Sequence, residues 1–137
     1  MHKFIAIILA TLITACSSVT NTEQPIQISS EIDQQQLLKM QTANEDFLLL
    51  DVRSREEFDE GHIPGSVNIS HQELADKLDQ VSQFKDKNIV VYCRSGRRAG
   101  IAIDILKENN FQHTSHLVGD MQGWKKSNLE ITKNVGK

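Results

Sequence analysis

The sequence predicts an α/β fold with a small central parallel sheet flanked by helices. Three observations point there. Short strand-like apolar runs alternate with helical patterns after residue 27, the runs at 47–52 and 89–92 are nearly continuous, and helix-start signals stand between them. A chain of 137 residues with 39% apolar residues holds one ordinary domain. Its 15 Lys and Arg against 18 Asp and Glu leave a formal charge of −3, so charge does not support nucleic-acid binding. Two cysteines exclude a disulfide-stapled miniprotein and a four-cysteine zinc site.

Taken in order, residues 26–28 form a candidate edge strand. Ser29 or Ser30 can cap a helix reaching Thr42, with Ile32, Leu37, Leu38 and Met40 on its buried side. Residues 47–52 read as a strand covered on both faces. Ser54 and Glu57 have capping-box spacing for a helix that Gly61 ends, and Ser70 with Glu73 repeats the signal after a short strand at 67–69. The second long strand, 88–92, leads into the clearest helix, from Arg98 to Asn109. That helix carries Ala99, Ala102, Ile103 and Leu106 on one stripe, with Ile101 and Ile105 beside it. A short strand at 116–118 and a last helix from about Asp120, carrying a core Trp124, complete the pattern. Gly65 and Gly96 read as turns that need unusual backbone angles.

The first 27 residues read differently. A basic start and an apolar run over residues 4–15 are too short for a membrane span, which needs about 20 residues, and suit a signal peptide. Leu12-Ile13-Thr14-Ala15-Cys16 resembles the bacterial lipobox, so residues 1–15 are expected to be removed and Cys16 lipidated. Residues 16–27 then form a polar tether. Multiple acyl chains hold a protein on a membrane firmly, at about 0.8 kcal/mol per buried methylene. The resemblance places the protein on the periplasmic side of a bacterial membrane, and Ser17 after the cysteine favours the outer one.

The strongest chemical signal is Cys93-Arg94-Ser95-Gly96-Arg97-Arg98 between a strand and a helix. The carboxyl end of a strand is where α/β sheets bind ligands. The amides of the following helix start, with its dipole, favour a thiolate. Three arginines and no acid in six residues add an attraction for small anions. No histidine or carboxylate cluster has metal-ligand spacing, so no metal or other cofactor is implied.

From residue 28 to about 131 the chain resembles the single-domain rhodaneses, a sulfurtransferase family. Leu49-Leu50-Asp51-Val52-Arg53, then Glu57-Phe58, then Gly61-His62-Ile63-Pro64-Gly65-Ser66-Val67-Asn68-Ile69 match its first signature. Residues 91–99 match its active-site loop and residues 119–124 its closing segment. The domain is accordingly set at 28–132, with a tail at 133–137. The resemblance implies a rhodanese-like three-layer fold and a Cys93 nucleophile. This thiolate takes the sulfane sulfur of thiosulfate, a polysulfide or a persulfide and passes it to a thiol or another nucleophile. Amides from Arg94 to Arg98, Ser95 and Gly96 included, are expected to cradle the persulfide. Arg94 and Arg97 are expected to orient the donor, while Arg98 can instead point back to stiffen the loop. Cysteine phosphatases place Arg six positions after the nucleophile; here that position is Ala99 and the arginine falls at Arg98, matching the tighter sulfur loop.

Around the loop, Asp51 is expected to accept N–H bonds from the following turn or to pair with Arg53, shaping the pocket floor. Glu57 is read as a helix cap and His62 as a loop-fixing residue. Many family members have two glycines where this chain has Gly119-Asp120, which places a charge at the expected pocket rim. Two other functions use the same residues: a thiol redox relay or sensor through Cys93, and a binding module without catalysis. The partners implied are a small anionic sulfur donor and a thiol acceptor.

Overall fold

The computed structural model describes residues 29–134. Five parallel strands lie in the order β1-β5-β4-β2-β3, with β1 Glu31–Ile32, β2 Phe47–Asp51, β3 Val67–Asn68, β4 Asn88–Tyr92 and β5 Thr114–Leu117. The helices are α1 Gln34–Thr42, α2 Arg55–Glu60, α3 Arg97–Glu108 and α4 Asp120–Lys126, with a 3-10 segment at Leu74–Phe84. The alternating pattern predicts this parallel α/β sheet, and its three layers are those the resemblance implies.

The long strands are buried on both faces, which is why their sequences are nearly continuous in apolar residues. Strand alternation then sorts them. Ile89, Val91 and Cys93 pack with Leu48, Leu50, Val52 and with Ala99, Ala102 and Leu106 of α3. Val90 and Tyr92 face the opposite layer, with Leu37 and Met40 of α1 and Met121 and Trp124 of α4. Cys93 therefore emerges on the α3 side of the sheet. Trp124 is core, as expected, and its indole N–H donates to Glu130 O at 2.8 Å, which fastens the chain after α4.

Several local expectations give way. The first helix is capped by Asp33, not Ser29 or Ser30: Asp33 and Gln36 form a reciprocal capping box with two bonds of 2.8 Å. Pairing with β5 claims the residues just before it, where Ser30 O accepts the N–H of His116 and Ile32 enters the sheet. The edge piece at 26–28 lies outside the described residues. At Ser70 the hydroxyl donates to the Glu73 carboxylate at 3.0 Å instead of capping a backbone N–H, and a 3-10 segment with a non-helical Lys77 follows. The last strand begins at Thr114, two residues early, and leaves Val118 exposed. Ile101 stands at 38% exposure, off the buried stripe of α3.

Candidate active site

Cys93 follows directly on β4, and the loop from there to α3 turns through Gly96 at φ +111°. A side chain at position 96 would be strained at that φ. Its Cβ would also stand 3.3 Å from Asp120 Oδ2 and 3.4 Å from His116 Cε1, so the turn needs glycine. The N–H of Gly96 donates to Cys93 Sγ at 3.0 Å. Cys93 is only 1% exposed, so the sulfur lies at the base of the loop facing a main-chain donor. The N-terminal turn of α3 begins one residue later, and its positive dipole end favours negative charge there.

Helix α4 holds this loop from the other side. Met121 and Gln122 donate their N–H groups to the carbonyls of Cys93 and Arg94, at 3.0 and 3.1 Å. The Asp120 carboxylate accepts the Cys93 N–H at 2.8 Å through Oδ1 and meets His116 Nε2 at 2.9 Å through Oδ2. Asp120 is thus not at a pocket rim. It is 2% exposed and packed against the loop, because its position at the start of α4 turns the carboxylate toward the Cys93 backbone.

The three loop arginines divide. Arg94 and Arg97 are exposed and, among the described residues, make no ion pair, so both are free to meet an anion. Arg98 is committed: its guanidinium forms a two-pronged pair with Glu57 at 2.6 and 2.9 Å. It ties α3 to α2 and stiffens the loop. The pair raises the Arg98 pKa against the opposing effect of burial, with a further contribution from Cys93. Glu57 is also the cap expected from the sequence, accepting the Ser54 N–H at 3.1 Å.

The bond from Arg98, opposed by burial and aided by the Ser54 N–H, lowers the Glu57 pKa to about 2. A carboxyl group depressed on folding adds stability above its unfolded value, about 4.3, and loses it as pH falls through the folded value. Urea denaturation of the wild type should therefore show stability falling between about pH 4.5 and 2, and Glu57→Gln should flatten that part of the profile. An unchanged slope would refute the assignment.

Asp51 and Arg53 form one buried unit, at 0% and 3% exposure. Asp51 accepts the backbone N–H of Arg53 at 2.9 Å and its guanidinium at 2.6 to 3.1 Å, so both readings of Asp51 hold together. Burial works against the Arg53 charge, and the Asp51 carboxylate overcomes it, raising the pKa. Arg53, Glu57, Glu60, Arg94, Met121, Gln122 and Lys125 line a cavity of about 380 Å³ beside the loop.

A model of the rhodanese-like domain family matches residues 33–127, well over half of the chain. The chain belongs to the rhodanese-like family. A protein of Allochromatium vinosum named sulfurtransferase is 29% identical over 107 residues, covering 78% of this chain and 98% of its own. The thiosulfate sulfurtransferase PspE of Escherichia coli is 31% identical over 70 residues, covering 51% and 67% of the two chains. Among solved structures, a Bacillus halodurans protein superposes with a TM-score of 0.70 at 25% identity, covering 79% of this chain and 80% of its own.

Two predicted residues remain in this rhodanese-like domain: Ser95 is exposed on the loop, and His62 makes its contacts with Phe58 and Thr132. It is buried, stacks on Phe58 with ring centroids 3.7 Å apart, and bonds Phe58 O at 2.8 Å. Its backbone bridges to Thr132, so it pins the chain end to α2. Sequence reasoning missed His116 as a neighbour of the loop and the partnership of Glu57 with Arg98. Neither has a local signal: Glu57 and Arg98 are 41 residues apart, and His116 occupies an ordinary strand position.

Proposed function

We propose that this protein is a sulfurtransferase working through a Cys93 persulfide, anchored by a lipidated Cys16 on the periplasmic side of a bacterial membrane, the outer one favoured. The reading is supported first by the Gly96 N–H directed at Cys93 Sγ, 3.0 Å away at the carboxyl end of β4. The Cys93 thiolate attacks the outer sulfur of thiosulfate. A bond forms between the two sulfurs, the thiosulfate S–S bond breaks with its electron pair, and sulfite leaves. In the second half, an acceptor thiolate attacks the terminal sulfur of the persulfide, and the Cys93 thiolate is regenerated.

The fixed amide stabilises negative charge on sulfur with little reorganisation between the two states. Arg94 and Arg97 supply exposed cations for the sulfonate end of the donor, while the Arg98–Glu57 pair keeps the loop in register. A polysulfide or a persulfide donor would deliver the same terminal sulfur.

Peptide mass spectrometry on full-length protein exported in bacteria and treated with thiosulfate checks both parts. A gain of about 32 Da at Cys93, the mass of one added sulfur, with release of sulfite, is expected alongside acyl groups on Cys16. Failure to add sulfur with thiosulfate, polysulfide or a small-molecule persulfide removes the enzymatic reading; an unmodified Cys16 removes the anchor.

A further inference from the structure

A carboxylate buried beside a sulfur that must carry negative charge is electrostatically adverse unless it is matched. Asp120 is such a group, 2% exposed, and it occupies a left-handed backbone conformation at φ +51° that glycine adopts freely and other residues only at some cost. The conformation directs one carboxylate oxygen to the Cys93 N–H and the other to His116 Nε2, and places Oδ2 against Gly96, whose N–H holds the sulfur. The His116 side chain is 24% exposed and can exchange a proton with water, whereas Asp120 is sealed.

We infer that Asp120 and His116 are a positioning pair for the sulfur loop: Asp120 fixes the Cys93 backbone, and protonation of His116 matches its charge and sets the rate at which an anionic sulfur donor reacts. This deepens the sulfurtransferase reading and rests on it. With imidazolium present the pair is neutral and the amide field acts on sulfur and donor unopposed. With neutral imidazole a full negative charge remains next to the loop and repels both the thiolate and a dianionic donor. Histidine is the side-chain type whose charge changes near neutral pH. The other ionisable groups on the elements packed around His116 are Glu31, in register on β1, Tyr92 on β4 with Cys93 and Arg94 after it, Arg97 and Arg98 opening α3 with Asp104, Lys107 and Glu108 toward its far end, and Lys125 and Lys126 at the far end of α4. Of these, Arg98 is committed to Glu57, and Asp120 is the group that His116 meets directly.

Rates of Cys93 persulfide formation from thiosulfate, measured from about pH 5 to 9 across the histidine range, test the pair. The wild-type rate, taken per Cys93 thiolate, should fall about tenfold toward alkaline pH. His116→Gln should lose the fall and stay slow throughout. Asp120→Asn keeps an oxygen for the Cys93 N–H and a residue type that tolerates positive φ; it should react about tenfold faster than the wild type at the alkaline end. An alkaline fall preserved in His116→Gln, or an Asp120→Asn profile superimposable on the wild type, overturns the inference. Should the wild type form no persulfide, the sulfurtransferase reading fails, and alkylation of Cys93 by iodoacetamide then reads the pair alone. Onset of reactivity at lower pH in Asp120→Asn supports it, and an unchanged onset overturns it.

Discussion

Cys93→Ser is expected to abolish persulfide formation and to reduce sulfite release from thiosulfate by about a thousandfold or more, the scale seen when a nucleophile is removed from an enzyme. Serine places oxygen near the position of Sγ, but its hydroxyl is far less acidic than a thiol and does not form a persulfide. The loss should be chemical. The residue is 1% exposed among Val91, Ala99 and Ala102, and Gly96 still offers its N–H to a hydroxyl, so the stability change should stay near about 1 kcal/mol. Thiosulfate turnover together with urea denaturation separates the two effects. A serine variant that keeps a tenth of the wild-type turnover would show that sulfur passes elsewhere.

The largest stability effect is expected at Asp51. Removing its carboxylate by Asp51→Ala strands the Arg53 guanidinium, which belongs to a residue 3% exposed and whose remaining acceptor among the described residues is the Gly61 carbonyl at 2.9 Å. Breaking one side of a buried pair costs about 3–5 kcal/mol, because an uncompensated charge stays in the interior. Replacing both residues, Asp51→Ala with Arg53→Met, should recover a substantial part of that loss, since the charge leaves with its partner. Denaturation midpoints of the two single variants and the double one check this. An Asp51→Ala cost below about 1 kcal/mol, the range of a surface pair, would show that the two charges do not act as a buried pair. The same double variant should weaken catalysis, because Arg53 lines the cavity beside the loop.

These two residues were legible in the sequence for different reasons. Cys93 stands where a continuous apolar strand gives way to an arginine-rich turn, so its place is written in adjacent residues. Asp51 and Arg53 are two apart on a strand end, and a short turn is enough to bring them together. Glu57 was legible only as a cap, because Ser54 is three residues away, whereas its bond to Arg98 depends on how α2 and α3 settle against the sheet. His62 was legible as a residue that fixes its loop through hydrogen bonds, and it does so through Phe58 O and the Thr132 backbone, whereas its stacking on the Phe58 ring is decided by the fold.

The sequence by itself determined the α/β layering, the placing of a cysteine between β4 and α3, and the set of cations around it. Those features depend on local periodicity and on groups a few residues apart, where chain connectivity does the positioning. Only the tertiary structure decided where Asp33 starts the first helix, which arginine is tied down, and that Asp120 and His116 reach the back of the sulfur loop. Each of those depends on segments brought together by packing over tens of residues or by competition for the same backbone donors, and such choices are settled by the whole fold.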